Sequence, residues 1–211
     1  MKSVKSIIAS LFFIQISLLV HAQRWGLKGG LSVSTLQNNE DFFDVKPRVG
    51  FHFGPTLEFA LSDRLGIETG LILTQRGYKL AYSDSFTYLF FTYNTSSEQK
   101  LTLYYIDLPV TPKFYIDAGN ARFFGQLGPL ASLGFYGRYK SQFTTNGAQQ
   151  SSDGEVEWLT FKDRIHFGLL AAAGVEIDQF AFSLNYNYAV NTEFKSEGNF
   201  RYVNASVAYH F

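Results

Sequence analysis

The sequence predicts an all-β fold, an eight-stranded antiparallel up-and-down transmembrane β-barrel preceded by a cleaved signal peptide. Three observations carry that expectation. The chain has 22 Phe, 13 Tyr and 18 Gly with only 17% charged residues, a composition that suits pleated walls and tight turns. Apolar and small polar residues alternate with period two over eight segments. The connections between those segments alternate long and short, as in outer-membrane barrels.

The first 22 residues read as a secretory signal. Lys2 and Lys5 precede an apolar stretch from Ile7 to Val20, and Val20, His21 and Ala22 offer a small-residue cleavage site. The apolar core is shorter than the roughly 20 residues that a retained spanning helix needs. The mature chain is therefore expected to begin at Gln23 and to form one domain, residues 23–211. Without Lys2 and Lys5 it carries 16 basic against 18 acidic residues, and no basic patch invites nucleic acid. It contains no cysteine, which excludes disulfides, thiolate metal sites, cysteine nucleophiles and an N-terminal lipid on that residue. No apolar run in the mature chain approaches 18 residues, so only a barrel would place it in a membrane.

In chain order, the first strand sets Trp25, Leu27, Leu31 and Val33 against Gly26, Lys28, Gly30, Ser32 and Ser34. A polar loop is expected from Gln37 to Lys46. The second strand divides Val49, Phe51, Phe53, Leu57 and Phe59 from Gly50, His52, Gly54, Thr56 and Glu58, and ends in a turn at Ser62–Arg64. The third turns Leu65, Ile67, Thr69, Leu71 and Leu73 outward opposite Gly66, Glu68, Gly70 and Thr74, and runs on towards Tyr82. The aromatic connection Ser83–Lys100 reads as a surface hairpin. The fourth strand, Leu101 to Ile116, turns Ile106, Leu108, Val110 and Phe114 outward and Tyr105, Asp107, Thr111 and Lys113 inward. Pro109 and Pro112 cannot donate to a ladder, so a bulge or a local loss of pairing is expected there.

A turn at Asp117–Ala121 leads to the fifth strand, with Phe123, Leu127, Ala131, Leu133 and Phe135 outward and Gln126, Gly128, Ser132, Gly134, Tyr136 and Arg138 inward. The polar stretch 141–163 is expected to be the longest loop, with a composition that favours mobility. The sixth strand places Arg164, His166, Gly168, Gly174 and Glu176 inward, and Asp178 and Gln179 turn into a seventh with Phe180, Phe182, Leu184, Tyr186 and Tyr188 outward. The last strand sets Val203, Ala205, Val207, Tyr209 and Phe211 against Asn204, Ser206, Ala208 and His210, with the first strand as its closing neighbour.

A water-soluble barrel would turn the large apolar face inward. Here the opposite face is crowded with Gly, Ser, Asn and scattered charges, which suits the narrow lumen of a membrane barrel.

With these residues in view, the chain resembles the PorT-like outer-membrane β-barrel family of Bacteroidota, a porin family also labelled as an outer membrane protein beta-barrel domain. The likeness lies in Tyr105, Ile106, Asp107, Leu108, Pro109 and Val110 with Lys113 and Phe114, supported by Gly125, Gly128, Pro129, Gly168, Gly174 and the terminal Phe211. Asp107 and Pro112 depart from the family pattern. The resemblance implies the cell outer membrane as location, after secretion to the periplasm. It implies outer-membrane lipid as surroundings and insertion by the barrel-assembly machinery, with Tyr209 and Phe211 as its assembly signal. A link to protein secretion is also implied.

No catalytic motif stands out. His52, His166 and His210 all fall on the inward face, yet on three different strands and without close ligand spacing, so hydrogen-bonded packing is the reading. No Gly-x-Ser-x-Gly elbow marks a serine nucleophile, so no enzyme, cofactor or metal is expected; a lipid-modifying or proteolytic barrel is the outlying alternative. The inward charges Lys28, Glu58, Glu68, Asp107, Lys113, Arg138, Arg164 and Glu176 form a coherent set. Charges in a low-dielectric wall must be paired or solvated, and eight strands leave a lumen that side chains can fill. The expectation is a salt-bridged plug in a structural or interaction protein that works through its loops on a protein partner. A narrow porin-like channel is the alternative.

Overall fold

The computed structural model describes residues 23–37, 44–88, 91–146, 148–156, 164–190 and 199–211; the predicted leader and its cleavage site lie outside them. The strands are β1 (Gln23–Gln37), β2 (Asp44–Ser62), β3 (Leu65–Gly70), β4 (Ile72–Tyr88), β5 (Phe91–Ala118), β6 (Ala121–Thr145), β7 (Ala148–Glu155), β8 (Ile165–Ile177), β9 (Phe180–Ala189) and β10 (Asn199–His210).

They form one antiparallel sheet that closes on itself. β1 pairs with β2 on one side and with β10 on the other, from Gly26↔His210 to Gln37↔Asn199. Closure leaves the wall without a free edge, so its backbone groups are satisfied by neighbours, as hydrocarbon demands. β3 and β4 act as one wall strand interrupted at Leu71, which gives eight wall positions; β7 lies beyond the ring against β6.

The interruption has a local cause. Leu71 donates its N–H to Pro55 O at 3.1 Å, and Pro55 has no N–H to return. On the other side the ladder to β5 skips Leu108 and Pro109, resuming at Val110 opposite Thr69. The β5–β6 ladder likewise stops after Pro109↔Leu130 and resumes in the same register at Lys113↔Gln126. The prolines therefore cost local pairing without a bulge.

Tight turns join β2 to β3, β5 to β6 and β8 to β9 at one end of the barrel, here the turn end. Gly119 (φ 62) and Asp178 (φ 55) take the left-handed conformation that two of these reversals require, one by lacking Cβ and one by the tolerance of Asp for that region. The other end is the loop end. There the predicted hairpin over 83–100 is present, with β4 and β5 paired out to Tyr88↔Phe91.

Two expectations fail at this end. The stretch 141–163 is not simply a loop: β6 continues to Thr145 and folds back as β7, paired from Arg138↔Glu155 to Thr145↔Ala148. Polar side chains exposed on both faces conceal a strand whose ladder is made of backbone. Residues 44–46, assigned to a loop, belong to β2, which pairs with β4 through Asp44↔Ala81.

The faces divide as predicted over the wall. Leu31, Leu127 and Leu184 are 62%, 63% and 64% exposed, whereas Ser32, Asp107, Lys113, Asn187 and His210 are buried. Large apolar groups in such a band are stable only against hydrocarbon.

Candidate functional site

The barrel interior holds two ionic clusters, one above the other. At the turn end, Lys113 on β5 donates to Glu58 Oε2 at 2.9 Å, Glu68 Oε2 at 3.0 Å and Glu176 Oε1 at 2.7 Å, gathering β2, β3 and β8 around one ammonium. Lys28 of β1 pairs with Glu68, and Arg24 of β1 reaches Glu176 Oε2 at 2.8 Å. Three cations thus meet three carboxylates, which offsets much of the cost of burying them. The Tyr115 hydroxyl donates to Glu58 Oε1 at 2.5 Å, and the Phe124 ring lies 4.3 Å from Lys113 Nζ.

Towards the loop end, Arg76 of β4 donates to both oxygens of Asp107 on β5. Thr74 Oγ1 adds a bond to Asp107 Oδ2 at 2.8 Å. The guanidinium lies 4.5 Å from the centre of the Tyr105 ring and 4.1 Å from that of Tyr202. Above this cluster Tyr78, Leu103, Tyr105 and Ala189 pack into an apolar cap, with Val45, Leu80, Leu101 and Val156 against it.

Between the clusters lies a cavity of about 30 Å³ bordered by Lys28, His52, Glu68 and Asp107, room for roughly two water molecules. His52 Nε2 meets Ser206 Oγ at 2.8 Å, and Asn185 Nδ2 donates to the same oxygen at 2.7 Å.

Of the eight charges expected in the lumen, Lys28, Glu58, Glu68, Lys113 and Glu176 converge in the first cluster, and Asp107 sits in the second. Arg138 does not belong to the set. Tyr104↔Tyr136 is followed by Tyr105↔Gly134, so Phe135 is an extra residue, and a one-residue bulge reverses the faces beyond it. Gly137 takes the inward position, while Tyr136 is exposed and Arg138 pairs with Asp153 at 2.5 Å outside the ring. Arg164, half-exposed ahead of β8, joins neither cluster among the described residues.

Arg24, Arg76, Tyr115 and Tyr202 were the omissions. Each shares the parity of an inward neighbour, Lys28, Thr74, Lys113 and Asn204 respectively, so extending each alternation by a few residues finds them.

The three histidines are buried inward but stay apart: His52 is on Ser206, the His166 ring meets Tyr105 edge-on at 5.3 Å, and His210 Nε2 is 3.8 Å from Glu176. Donor atoms of Glu58, Glu176 and His210 lie within 4.8 Å of one another. Lys113 already sits on both carboxylates there, supplying the positive charge that an ion would bring.

A closed ring with an apolar exterior and a paired ionic interior defines a small integral outer-membrane barrel. The sequence matches the family described as Outer membrane protein beta-barrel domain over residues 15–195, and the chain belongs to that family. Its location is the bacterial outer membrane.

No curated protein matches the sequence. Among solved structures, Neisserial surface protein A is 14% identical, with a TM-score of 0.45 over 88% of this chain and 95% of that one. The attachment invasion locus protein Ail of Yersinia pestis is 14% identical, with a TM-score of 0.39 over 89% and 98%. OprG from Pseudomonas aeruginosa is 11% identical, with a TM-score of 0.40 over 90% and 96%.

Proposed function

We propose that the protein is a closed barrel that anchors a projecting β-sheet at the cell surface, with a structural or interaction role carried by that sheet. The observation that supports this most directly is the double filling of the lumen. Lys113 with its three carboxylates blocks one level and Arg76 with Asp107 another, and the apolar cap lies beyond. Ions would have to break paired, desolvated charges at both levels to pass. Meanwhile β4, β5, β6 and β7 continue the sheet past the ring. The usual orientation, with short turns in the periplasm, directs that extension outward.

Planar-bilayer recording tests the closed state. Silence at moderate voltage is expected, and steady unitary openings would favour the narrow channel instead. Shortening the β6–β7 hairpin to a tight turn tests the role: partner binding or the surface phenotype should be lost while insertion is kept. The narrower kinship, to PorT-like proteins and hence to secretion, is supported by the Tyr105–Val110 segment with Lys113 and Phe114, and by Gly125, Gly128, Pro129, Gly168, Gly174 and Phe211; a secretion assay on a deletion strain would test it.

A further inference from the structure

The outward face of the loop-end sheet carries a row of lysines that the closed-barrel reading does not use. Lys46 of β2 pairs with Lys79 of β4, Lys79 with Lys100 of β5, and Lys100 with Lys140 of β6. Four adjacent strands therefore present like charges directly opposite one another, roughly 5 Å apart per strand.

The row nearer the barrel adds two more cations. Gly77, Thr102 and Arg138 are register partners there. Arg48 reaches the same place, its Nη1 donating to Leu101 O at 2.7 Å and to Thr102 Oγ1. A side chain on Gly77 would collide with this arrangement, since a Cβ there would lie 2.0 Å from Leu101 O and 3.2 Å from Arg48 Nη1.

The position relative to the apolar belt is fixed by β5. Its outward residues run Ile116, Phe114, Val110, Leu108 and Ile106 to Tyr104, then Thr102 and Lys100. Tyr104 packs against Phe135 and Tyr136 at 6.3 and 5.7 Å, an aromatic group of the kind found at the headgroup level. Lys100 follows four residues later, about 13 Å further along the strand, so the row stands beyond the aromatic belt on its water side.

Two acidic residues stand in register one row further out, Asp44 and Glu98, each opposite Ala81. Glu98 approaches Lys79 at 4.0 Å. Asp153 and Glu155 of β7 pair in register with Lys140 and Arg138, which leaves Arg48, Lys79 and Lys100 facing Glu98 as the more positive group among the described side chains. Arg48 first, then burial, then Lys79 and Lys140 hold the Lys100 ammonium below its ordinary value.

We propose that this face, centred on Arg48, Lys79 and Lys100, docks the phosphate groups of outer-leaflet lipid headgroups. Like-charge neighbours across a ladder are destabilising, and an anion above them turns that cost into a binding site. A lipid phosphate is the occupant that the location favours, because the row lies next beyond the aromatic group of Tyr104, and the exposed apolar belt that would take acyl chains begins on the other side of that group with Val49 and Ile106. The inference rests on the bilayer position of the belt and is independent of whether the lumen conducts.

The test is lipid retention measured by native mass spectrometry from nanodiscs of phosphatidylcholine containing bisphosphorylated lipid A. The natural chain should retain lipid A, and the Lys79→Gln/Lys100→Gln double variant should retain it on the order of tenfold less. The Lys79→Arg/Lys100→Arg variant should keep retention, and inorganic phosphate at millimolar concentration should not displace the lipid. A heat-modifiability shift on gels verifies that each variant is folded. Equal retention by the natural chain and the glutamine variant would overturn the proposal. So would displacement by inorganic phosphate, or binding of a sulfated oligosaccharide in place of lipid A.

Discussion

Arg76 and Tyr202 lie 126 residues apart and meet twice: Arg76 Nη2 donates to the Tyr202 hydroxyl at 2.6 Å, and the guanidinium lies 4.1 Å from the centre of the same ring. Tyr202 in turn donates to Asp107 Oδ2 at 3.3 Å. The contact crosses the lumen from β4 to β10, so it ties opposite walls of the barrel together. Replacing Arg76 by Ala strands the Asp107 carboxylate and is expected to cost about 3–5 kcal/mol. Tyr202→Phe keeps the ring and should cost about 1 kcal/mol. Replacing Arg76 by Met and Asp107 by Leu together should cost far less than the sum of the single changes. Urea unfolding in lipid vesicles, arranged as a double-mutant cycle, measures all of these.

What was legible in the sequence follows from period two. Wherever Leu or Phe alternates with Gly, Ser or Asn, as in β1, β9 and β10, face and register could both be read, because a slip of one residue would put the apolar set in the lumen. Past Phe135 the alternation of β6 no longer gives the face, since a bulge is defined by pairing with β5 and leaves no mark in one strand's sequence; Arg138 falls outside the lumen for that reason. β7 escaped notice because Gln149–Asp153 bury nothing. Arg76 is legible by the same alternation that turns Thr74 inward, since the two share parity on β4. Which carboxylates share Lys113 was not legible at all, because β2, β3, β5 and β8 converge only after closure.

Two independent levels of filling predict how the lumen opens. Breaking the turn-end cluster with Lys113→Ala, Glu58→Ala and Glu176→Ala leaves Lys28 on Glu68 there, and Arg76, Asp107 and Tyr202 across the bore. That variant should stay silent in planar bilayers, as should Arg76→Ala/Asp107→Ala alone. Conduction is expected only when both sets are combined and the cap is also opened by Tyr78→Ala and Leu103→Ala. Openings in either partial variant would show that one cluster alone provides the seal.

The pair Arg138–Asp153 braces β6 against β7 outside the membrane. The Arg138 hydrogen bond, and then its charge, hold the Asp153 carboxyl below its ordinary value. A carboxyl lowered in the folded state contributes stability that is complete above its unfolded value, about 3.9, and lost as pH falls through the lowered one. Both groups are exposed, so salt should screen the effect. At neutral pH and low salt, Asp153→Asn should speed amide hydrogen exchange along the Tyr139–Gly154 ladder, with the difference shrinking in high salt. Exchange in the β8–β9 ladder should not change.

Phe211 sits where the barrel closes, next to the Gly26↔His210 pair. Its N–H donates to Trp25 O at 2.9 Å, its ring meets Tyr209 edge-on at 5.3 Å, and the side chain is otherwise exposed at the turn end. Little in the finished fold depends on that ring, because His210 N still donates to Gln179 O and the β1–β10 ladder already runs from Gly26↔His210. A chain ending at His210 is therefore expected to refold into detergent micelles nearly as well as the full chain. If Phe211 with Tyr209 serves as an assembly signal, the shortened chain should insert several-fold less into liposomes that contain the barrel-assembly machinery. An equal loss by both routes would make the ring a structural anchor, and an undiminished yield in the assisted route would remove its role in assembly.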